Sequence, residues 1–592
     1  MGNRVKILLL LLWLLPAAYA QVADHSYLDE VRTGLQKKWP ENRTINLVFH
    51  GHSVPSGYFN TPNVKTLQSY PQLTLQNVKS VYPNAVVNTI TTAIGGENSE
   101  QGAIRLEKDV LIHNPDILFI DYALNDRALG LEKALKAWEK MIKAAQKRSI
   151  KVILLTPTPD TTENILDDNS PLAQHSCQIR ELASKYKTGL IDSYAAFREK
   201  RQNGYDLKAY MSQSNHPNEK GHRIVAGLIA GYLLGEKEYK EYRLNKVRNI
   251  LDKAADWQIM NFENQVVKGS QWANSHAYWA WTNATLYIGM AEWAALSNNT
   301  KYWDFLQTTG KKNTWKTGPS IYFADDLCII QPYIQLYQKF KDPKMIEPSR
   351  QALDSIIQNP REASLEYYAK DSHSRWCWCD ALFMAPTSFA RMGKVTGDSK
   401  YFDFMDREFW ISYDTLYCSS EKLFFRDTRY KTMREENGEK VFWGRGNGWV
   451  AGALTIIIEN LPDNYPSRQR YIRLFGEMME RVAGLQDEKG FWHPSMLDYE
   501  AYPMPETSAS GFFTYALWWG INQGYLNEQK YLPHAEKGWE ALCSAVHDDG
   551  KLGYVQAIGA DPKKVTSDDT EVYGVGAFLL AGKERYSYIL KK

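Results

Sequence analysis

The order of apolar segments along the chain constrains its fold more than any other sequence feature. Between residues 44 and 234, short apolar runs alternate with amphipathic stretches of helical periodicity. Strands separated by helices are typical of a parallel sheet covered on both faces, because parallel strands need long crossover connections. This part is therefore predicted to be an α/β three-layer sandwich. The predicted strands are 45–49, 85–90, 116–121, 151–156 and 189–192, with helices such as 131–147 and 170–187 between them.

Beyond residue 239 the strand pattern fades and helical periodicity dominates. The segment NTKYWDF at 299–305 recurs as DSKYFDF at 398–404, with a weaker form, EQKYL, at 528–532. Repeated helix–turn–helix units predict helical pairs arranged in a ring or a solenoid, and roughly 350 residues fit six such pairs. We therefore predict an all-α (α/α)6 toroid at 245–592, an α/β domain at 24–238, and a charged helical boundary between them.

The first twenty residues have the pattern of a secretory signal peptide. Arg4 and Lys6 precede an apolar run at 7–15, and Ala18-Tyr19-Ala20 is a small-x-small cleavage site. The run is too short to span a bilayer comfortably, and the rest of the chain has no segment that resembles a membrane span. We expect cleavage of residues 1–20 and a secreted or periplasmic protein.

Composition excludes several function classes. The net charge of +2 gives no broad field for nucleic acid. The six cysteines do not form a metal-ligand pattern, because the closely spaced pair Cys377 and Cys379 has no second pair nearby. We expect no metal and no organic cofactor, while disulfide pairing and oligomeric state stay undefined.

Four motifs in the first domain follow predicted strands or open its last helix. They are GHS at 51–53, AIGGEN at 93–98, LND at 124–126 and HPNEKGH at 216–222. Such loops meet at the carboxyl edge of a parallel sheet. They offer a serine nucleophile, a histidine base and N–H donors for an oxyanion hole. The constellation resembles the SGNH (GDSL-type) esterase family, which implies the roles of nucleophile for Ser53, base for His216, and oxyanion hole for Gly95 or Gly96 with Asn125.

Two positions depart from that family's pattern. His52 stands where the family has the Asp of Gly-Asp-Ser, and Gln213 stands where it has an Asp three residues before the histidine. Without that Asp, either a Ser–His dyad works alone, or a backbone carbonyl or another acid orients His216. An orienting Asp contributes several powers of ten to the rate in other enzymes. The first domain is therefore predicted to be an esterase or, alternatively, a degenerate carbohydrate-binding domain.

In the second domain the most informative stretch is WCWCDALFMAP at 376–386. It places Asp380 among aromatic side chains where a helix begins. Burial raises the pKa of a carboxyl group, which suits a general acid, whereas a helix N-terminus favours the anion. Aromatic rings such as Trp378 also stack on the apolar faces of sugars. Asp380 is therefore either a catalytic acid in a sugar site or a capping residue beside core aromatics.

Four segments of this domain resemble glycoside hydrolase family 105, the unsaturated rhamnogalacturonyl hydrolases. They are ADDLC at 324–328, WCDALFM at 378–384, WGRGNGW at 443–449 and YGVG at 573–576. The resemblance covers roughly residues 245–585 and implies an (α/α)6 toroid. The substrates of that family carry a 4,5-unsaturated uronic acid, a vinyl ether that is cleaved by hydration. One aspartate that acts first as acid and then as base is sufficient, unlike the carboxylate pair of ordinary glycosidases.

The same resemblance implies the roles of individual residues. Asp380 is the acid and base, and either Asp325 or Asp326 is the second carboxylate. Arg445 suits the uronate carboxylate because its planar fork binds both oxygens; a structural ion pair is the alternative. Trp443 and Trp449 wall the pocket together with Trp378. Family members often have a histidine at the segment 423–429, where Arg426 or Asp427 stands in this chain.

These observations predict a secreted, two-domain pectin-degrading enzyme. The toroid would remove unsaturated uronyl residues from rhamnogalacturonan oligosaccharides, and the α/β domain would remove acetyl or similar esters. In one alternative, one of the two domains only binds carbohydrate. In the other, the toroid acts on a different unsaturated glucuronyl substrate or on a saturated glycan.

Overall fold

The computed structural model describes residues 25–263 and 276–592. The chain divides into two compact units, the first ending at Tyr242 and the second beginning at Arg243. The predicted signal peptide lies outside the described residues. Within the described ranges, no helix is both long enough and apolar enough to cross a membrane.

The first unit contains a five-stranded parallel sheet. Its strands are β1 (Thr44–Gly51), β2 (Val86–Thr91), β3 (Ile117–Asp121), β4 (Lys151–Leu155) and β5 (Gly189–Ile191), in the order β2-β1-β3-β4-β5. Each predicted strand agrees with an observed one to within two residues at either end. The α-helices around the sheet are Asp29–Gln36, Ser53–Ser56, Tyr70–Val81, Ser99–Arg105, Ala123–Leu129, Leu131–Gln146, Pro171–Tyr186, Ser193–Gln202 and Glu219–Leu233.

Two apolar layers enclose this sheet. Leu47 and Phe49 on β1 belong to the layer on one face, whereas Val48 belongs to the layer on the other face. This alternation follows from the two-residue period of a strand. Because both faces are covered, the strands read as continuous apolar runs, and the predicted α/β sandwich is confirmed. After β1 the chain forms β2 on one side of it and then β3 on the other side. The loop after β1 therefore lies at a topological switch point, where α/β proteins bind ligands.

The second unit is a ring of paired helices. In the described part of this unit, six inner helices contact one another in sequence, and the last contacts the first. The inner helices are Trp281–Ser297, Ile330–Phe340, Pro386–Thr396, Gly444–Asn460, Thr507–Asn522 and Val572–Lys591. The outer helices are Glu236–Asn261, Thr300–Lys312, Glu347–Gln358, Ser399–Leu416, Arg468–Gly484 and Glu528–Ser544. The predicted (α/α)6 toroid is confirmed.

The repeated sequence segment marks the start of outer helices. Asn299, Asp398 and Asn527 each precede an outer helix, and their side chains accept a hydrogen bond from a backbone N–H in its first turn. Such caps satisfy N–H groups that have no partner within the helix. The repeated sequence segment therefore corresponds to a capping turn that three helical pairs share.

The ring closes through two glycines. A Cβ atom built on Gly289 in the first inner helix would lie 2.3 Å from the carbonyl oxygen of Gly576 in the last one. A Cβ atom on Gly576 would lie 2.3 Å from the carbonyl oxygen of Thr285. The two helix backbones therefore approach as closely as the absence of side chains permits, and any larger residue would separate them.

Candidate active sites

In the first unit, Ser53 follows the carboxyl end of β1. The strand ends at Gly51, where a Cβ atom would lie 2.3 Å from the carbonyl oxygen of Asp121. The short helix Ser53–Ser56 then turns the chain, and the side chain of His52 caps it by accepting from the N–H of Val54. Gly51 therefore permits the close strand approach that places Ser53 at the edge of the sheet.

Ser53 and His216 form a dyad. The Nε2 atom of His216 lies 2.9 Å from Ser53 Oγ, and its Nδ1 atom lies 2.8 Å from the carbonyl oxygen of Phe59. A carbonyl accepts only, so Nδ1 carries the proton and Nε2 presents its lone pair to the serine hydroxyl. Burial lowers the pKa of His216, while the Phe59 carbonyl partly opposes that shift. The neutral ring is therefore favoured, as a general base requires.

Gln213 has a different task from the Asp of the esterase family. Its Oε1 atom accepts a hydrogen bond from the N–H of Thr61, and its Nε2 atom donates to the side chain of Asn215. The carbonyl of Phe59 therefore orients His216, which is one of the possibilities that the sequence left open.

An oxyanion hole can form beside the dyad. Within the described residues, the backbone N–H groups of Ser53, Gly95 and Gly96 donate to no other protein atom. Gly96 has a φ of 80°, a conformation that glycine adopts without strain. The side-chain amide of Asn125 donates to the carbonyl oxygen of Glu97, at 2.9 Å, which ties the helix after β3 to this glycine loop.

A buried polar network supports the glycine loop. Arg105 donates from Nε and Nη2 to the two carboxylate oxygens of Glu97. Tyr122 donates its hydroxyl proton to Glu97 Oε2 at 2.8 Å, and the same hydroxyl lies 3.1 Å from His50 Nε2. No sequence motif marks Arg105, Tyr122 and His50, because their neighbours in the chain resemble ordinary strand and helix residues.

In the second unit, Asp380 precedes the short helix Ala381–Met384. The segment after the strand Leu423–Phe424 runs beside it: the N–H of Cys379 donates to the carbonyl oxygen of Arg426 at 2.8 Å, and Trp378 pairs with Asp427 in an antiparallel bridge. This pairing brings the side chain of Arg426 to Asp380, with 3.8 Å between Nε and Oδ2. A cation therefore faces the predicted catalytic acid.

The WGRGNGW segment contacts both of the segments that carry Arg426 and Asp380. The side chain of Asn447 accepts from the N–H of Phe424 at 2.8 Å and donates to its carbonyl oxygen at 3.1 Å. A Cβ atom on Gly446 would lie 2.9 Å from the Sγ atom of Cys379. Asn447 and Gly446 thus fix the two segments that carry Arg426 and Asp380.

Asp325 and Asp380 are an interacting acid pair. Burial, followed by the charge of Asp380, raises the pKa of Asp325 to about 8, and Arg426 opposes this shift. Burial also raises the pKa of Asp380, against the opposing charges of Arg426 and Arg445. Like charges in a desolvated site cannot both ionise readily, so the pair retains a proton at neutral pH.

Asp326 has a separate, structural environment. Its Oδ2 atom accepts a hydrogen bond from the N–H of Ser320 at 2.8 Å, and its backbone carbonyl accepts from the N–H of Gly318. Burial raises the pKa of Asp326 to about 6. Of the two carboxylates that the sequence offered, Asp325 is therefore the one whose pKa is raised by the charge of Asp380.

Arg445 lies close enough to Asp380 for its charge to act on that carboxyl group, and its own partners come from another loop. Its side chain is fully buried, and it donates to the carbonyl oxygens of Gln556 and Ala557 and to the hydroxyl of Tyr573. Its guanidinium also lies 4.5 Å from the centre of the Trp443 ring. These partners engage Nη1 and Nη2, while Nε has no hydrogen-bond partner within the described residues, so Arg445 holds the 556–557 loop in place with two of its three nitrogens.

The three tryptophans also differ from one another. Trp449 is completely buried, with its ring 4.6 Å from Phe512, and Trp443 is buried with its Nε1 donating to Gln556. Both side chains therefore belong to the core behind the site and have almost no exposed surface for a sugar to contact. Trp378 packs against Phe323 and His373, at 5.4 and 5.5 Å between ring centres, next to Asp380.

Three residues near Asp380 escaped the sequence analysis. Arg429 makes a two-point ion pair with Asp427 and stacks 3.6 Å above the ring of Tyr367. His373 lies edge-on to the same ring, 4.7 Å between centres. The family often places a histidine near this site; here His373 comes from the segment before Asp380, so its sequence position gave no signal.

Comparison with known proteins gives a matching family model for each of the two units. The model of Glycosyl Hydrolase Family 88 matches residues 250–589, and that of the GDSL-like Lipase/Acylhydrolase family matches residues 49–224. The unsaturated 3S-rhamnoglycuronyl hydrolase of Alteromonas sp. (strain LOR) is 39% identical over 350 residues, which are 57% of this chain and 85% of that protein.

Two solved structures resemble the ring. A glycosyl hydrolase family 88 protein from Bacteroides vulgatus has 29% identity and a TM-score of 0.51, and the match covers 58% of this chain and 99% of that one. A protein described as a polysaccharide lyase has 30% identity and a TM-score of 0.52, and the match covers 59% of this chain and 99% of that one.

A closed ring of six helical pairs with an acid pair near the start of an inner helix defines a glycoside hydrolase, here joined to a GDSL-like esterase domain. The chain belongs to Glycosyl Hydrolase Family 88. Both resemblances seen in the sequence are confirmed, although the matching family model is numbered 88 where the sequence motifs pointed to family 105.

Proposed function

We propose that the ring hydrolyses oligosaccharides that end in a 4,5-unsaturated uronic acid linked to rhamnose. The acid pair of Asp325 and Asp380 beside Arg426 carries this proposal. The Alteromonas relative is named for a rhamnoglycuronyl substrate, which supports rhamnose as the sugar that is released.

The geometry suits hydration of a vinyl ether. Asp380 donates a proton to C4 of the unsaturated sugar, which breaks the C4–C5 double bond and leaves positive charge on C5 and the ring oxygen. Water then adds to C5 and gives its proton to the carboxylate. The resulting hemiketal opens to a ketone, and the hemiacetal left at C1 expels the rest of the chain. Because the pKa of Asp325 is raised, the two aspartates together keep one proton between turnovers.

Arg426 is the proposed anchor for the uronate carboxylate. It is largely buried, its Nη1 atom donates to Asp427, and its Nε atom has no hydrogen-bond partner within the described residues. An unused guanidinium N–H 3.8 Å from Asp380 Oδ2 is available to the carboxylate on C5 of the substrate. This assigns to Arg426 the role that the sequence suggested for Arg445.

The test follows the ultraviolet absorbance of the unsaturated uronyl group. Substrates are lyase-digested rhamnogalacturonan and rhamnoglycuronan fragments, each with and without sulfate on rhamnose. Wild type should abolish the absorbance of at least one substrate, and Asp380→Asn should slow this by roughly 10²–10⁴-fold.

Two outcomes would contradict the proposal. Absorbance that stays constant with every substrate would exclude vinyl-ether hydration. Absorbance that rises on intact polysaccharide would instead indicate a lyase, the activity for which one of the similar structures is described.

We infer a second activity for the first unit, the removal of acetyl or similar esters from the same glycans. The 2.9 Å contact between His216 and Ser53 beside unused N–H groups supports it. Ser53 attacks the ester carbonyl while His216 takes the hydroxyl proton and passes it to the departing sugar oxygen, which leaves as a hydroxyl. Water then releases the acetate from Ser53 by the same steps.

The two activities can be separated in one protein. Ser53→Ala should lose release of acetate from acetylated pectin but retain the absorbance assay, and Asp380→Asn should do the reverse. If Ser53→Ala releases acetate at the wild-type rate, the esterase proposal is wrong, whatever the ring does. Oligosaccharide binding without any acetate release would make the first unit a binding domain.

We also propose export from the cytoplasm with loss of residues 1–20. The basic start, the apolar run and the Ala18-Tyr19-Ala20 site support it. Mass spectrometry of protein from the culture medium or periplasm should give a mature chain that begins at Gln21. Accumulation of the uncleaved chain in the cytoplasm would refute it.

A further inference from the structure

Ser53 has a second histidine beside it, and this one is paired with a buried acid. His52 Nδ1 lies 3.4 Å from Ser53 Oγ and accepts a hydrogen bond from the N–H of Val54 at 3.2 Å. On the other side of the ring, His52 Nε2 lies 3.4 Å from Asp121 Oδ1. Both side chains are almost completely buried, at 1% and 4% exposure, so this contact is made away from solvent.

The partners of His52 define its tautomer. Because Val54 donates to Nδ1, that nitrogen carries a lone pair, and the ring proton must sit on Nε2, facing Asp121. Within the described residues, His52 Nε2 and Asp121 Oδ1 have no hydrogen-bond partner, so their 3.4 Å ion-pair contact is the polar contact that each of them makes. Tyr70 donates its hydroxyl proton to the second oxygen of Asp121, at 2.9 Å, which fixes the direction of the carboxylate.

The tautomer matters for the nucleophile. A lone pair on Nδ1 caps the turn that carries Ser53 and cannot donate to Oγ. The opposite tautomer would lose the Val54 bond and place an N–H within reach of Oγ, where it would bind the lone pair needed for attack. In Ser–His–Asp triads the acid similarly holds a histidine in its productive tautomer. In this chain the acid acts on the histidine before the serine.

We propose that Asp121, acting through His52, is the positioning acid of the esterase site. It holds His52 as the Nε2–H tautomer, so that the turn carrying Ser53 stays capped and no N–H of His52 occupies the lone pair of Ser53 Oγ. This places an acid on the nucleophile's side of the dyad in a site whose base is held only by a carbonyl. The inference rests on the proposed esterase activity, but the state of His52 can be measured without it.

The first experiment reads the ring nitrogens directly. Full-length protein labelled with ¹⁵N-histidine is examined by long-range ¹H–¹⁵N correlation spectra, and His52→Asn assigns the signals of His52. The expected result is a protonated Nε2 and an unprotonated Nδ1 in wild type. In Asp121→Asn, Nδ1 should become protonated in part or in full. Asp116→Asn is the matched control, because Asp116 lies at the opposite end of β3 and pairs with Arg43.

The second experiment measures hydrolysis of 4-nitrophenyl acetate. Asp121→Asn should lower kcat by roughly 10- to 100-fold with little change in KM, the usual effect of losing an outer partner of a catalytic group. Asp116→Asn should match wild type. The double variant His52→Asn/Asp121→Asn should be no slower than His52→Asn alone, because Asp121 acts through His52.

The outcomes separate this inference from the esterase proposal. Wild type that neither hydrolyses the ester nor releases acetate would refute the esterase, while the spectra still decide the tautomer. A wild-type His52 protonated on Nδ1, or a tautomer unchanged in Asp121→Asn, would overturn the inference. It would also fall if Asp121→Asn slowed the double variant further, since Asp121 would then act by another route.

Discussion

The Nδ1 atom of His216 donates to the carbonyl oxygen of Phe59, 2.8 Å away. A backbone oxygen thus takes the place that a carboxylate has in a Ser–His–Asp triad. It fixes the same tautomer, but it brings only a dipole where the carboxylate brings a full charge to stabilise the imidazolium formed during attack.

Restoring the family's acid at position 213 is expected to bring no gain. In Gln213→Asp, the new carboxylate would meet a histidine whose Nδ1 is already bonded to Phe59, and the Asn215 contact of Gln213 would be lost. Esterase kcat should stay at or below the wild-type value in the 4-nitrophenyl acetate assay, with Ser53→Ala as the blank. A tenfold increase would show that His216 is free to change partners.

The acid pair should make stability depend on pH. The pKa of Asp325 is raised to about 8, against roughly 3.9 for an unfolded aspartate. The folded chain therefore keeps a proton that the unfolded chain releases, so this group's contribution to the free energy of unfolding falls as pH rises from about 4 to about 8.

Asp325→Asn removes that dependence. The Tm of the variant relative to wild type should increase steadily as thermal unfolding is repeated across this pH range. Wild-type hydrolase activity should also fall above about pH 8, where the pair loses its proton. A constant Tm difference would mean that Asp325 ionises normally in the folded chain.

The two neighbouring aspartates should give opposite phenotypes. Asp325→Asn is expected to lower kcat in the absorbance assay with modest change in Tm below neutral pH. Asp326→Ala removes the acceptor of the Ser320 N–H, so it should cost about 1 kcal/mol of stability and leave the acid pair in place. If Asp326→Ala were inactive yet as stable as wild type, the assignment of the second carboxylate would be reversed.

Arg426 and Arg445 should separate binding from stability. Arg426→Lys keeps the charge but loses the fork, so KM for the unsaturated substrate should rise roughly tenfold while Tm changes little. Arg445→Lys leaves the carbonyls of Gln556 and Ala557 short of donors in a buried site, so Tm should fall by the equivalent of about 1–3 kcal/mol. Calorimetry and initial rates on both variants check this pair, and an exchanged pattern would return the uronate to Arg445.

Much of the fold could be read from the sequence, because local patterns determine it. Apolar runs of strand length gave the sheet, and the repeated capping segment at Asn299 and Asp398 gave the helical pairs. The residues that meet at each site were also found where motifs mark them, as at Ser53 and Asp380.

The sequence could not show which way each side chain points in the folded protein. Asp325 and Asp326 are adjacent in the chain, and only the folded turn decides which one faces Asp380. Arg445 lies in a motif that resembles a sugar site, yet its partners come from residues 556 and 557, more than a hundred positions away. Tyr367, His373 and Arg429 converge through tertiary contacts alone and leave no local pattern.

The close approach of Gly289 and Gly576 has a consequence for how the ring can assemble and change. In an open solenoid each repeat contacts only its neighbours, and the two ends do not meet. Here the final inner helix packs directly on the first, although almost the whole sequence of the second unit separates them. The contacts that complete the ring therefore form only after its last helix is available. Such distant contacts slow folding. The first and last inner helices therefore depend directly on each other, as the two ends of an open solenoid do not.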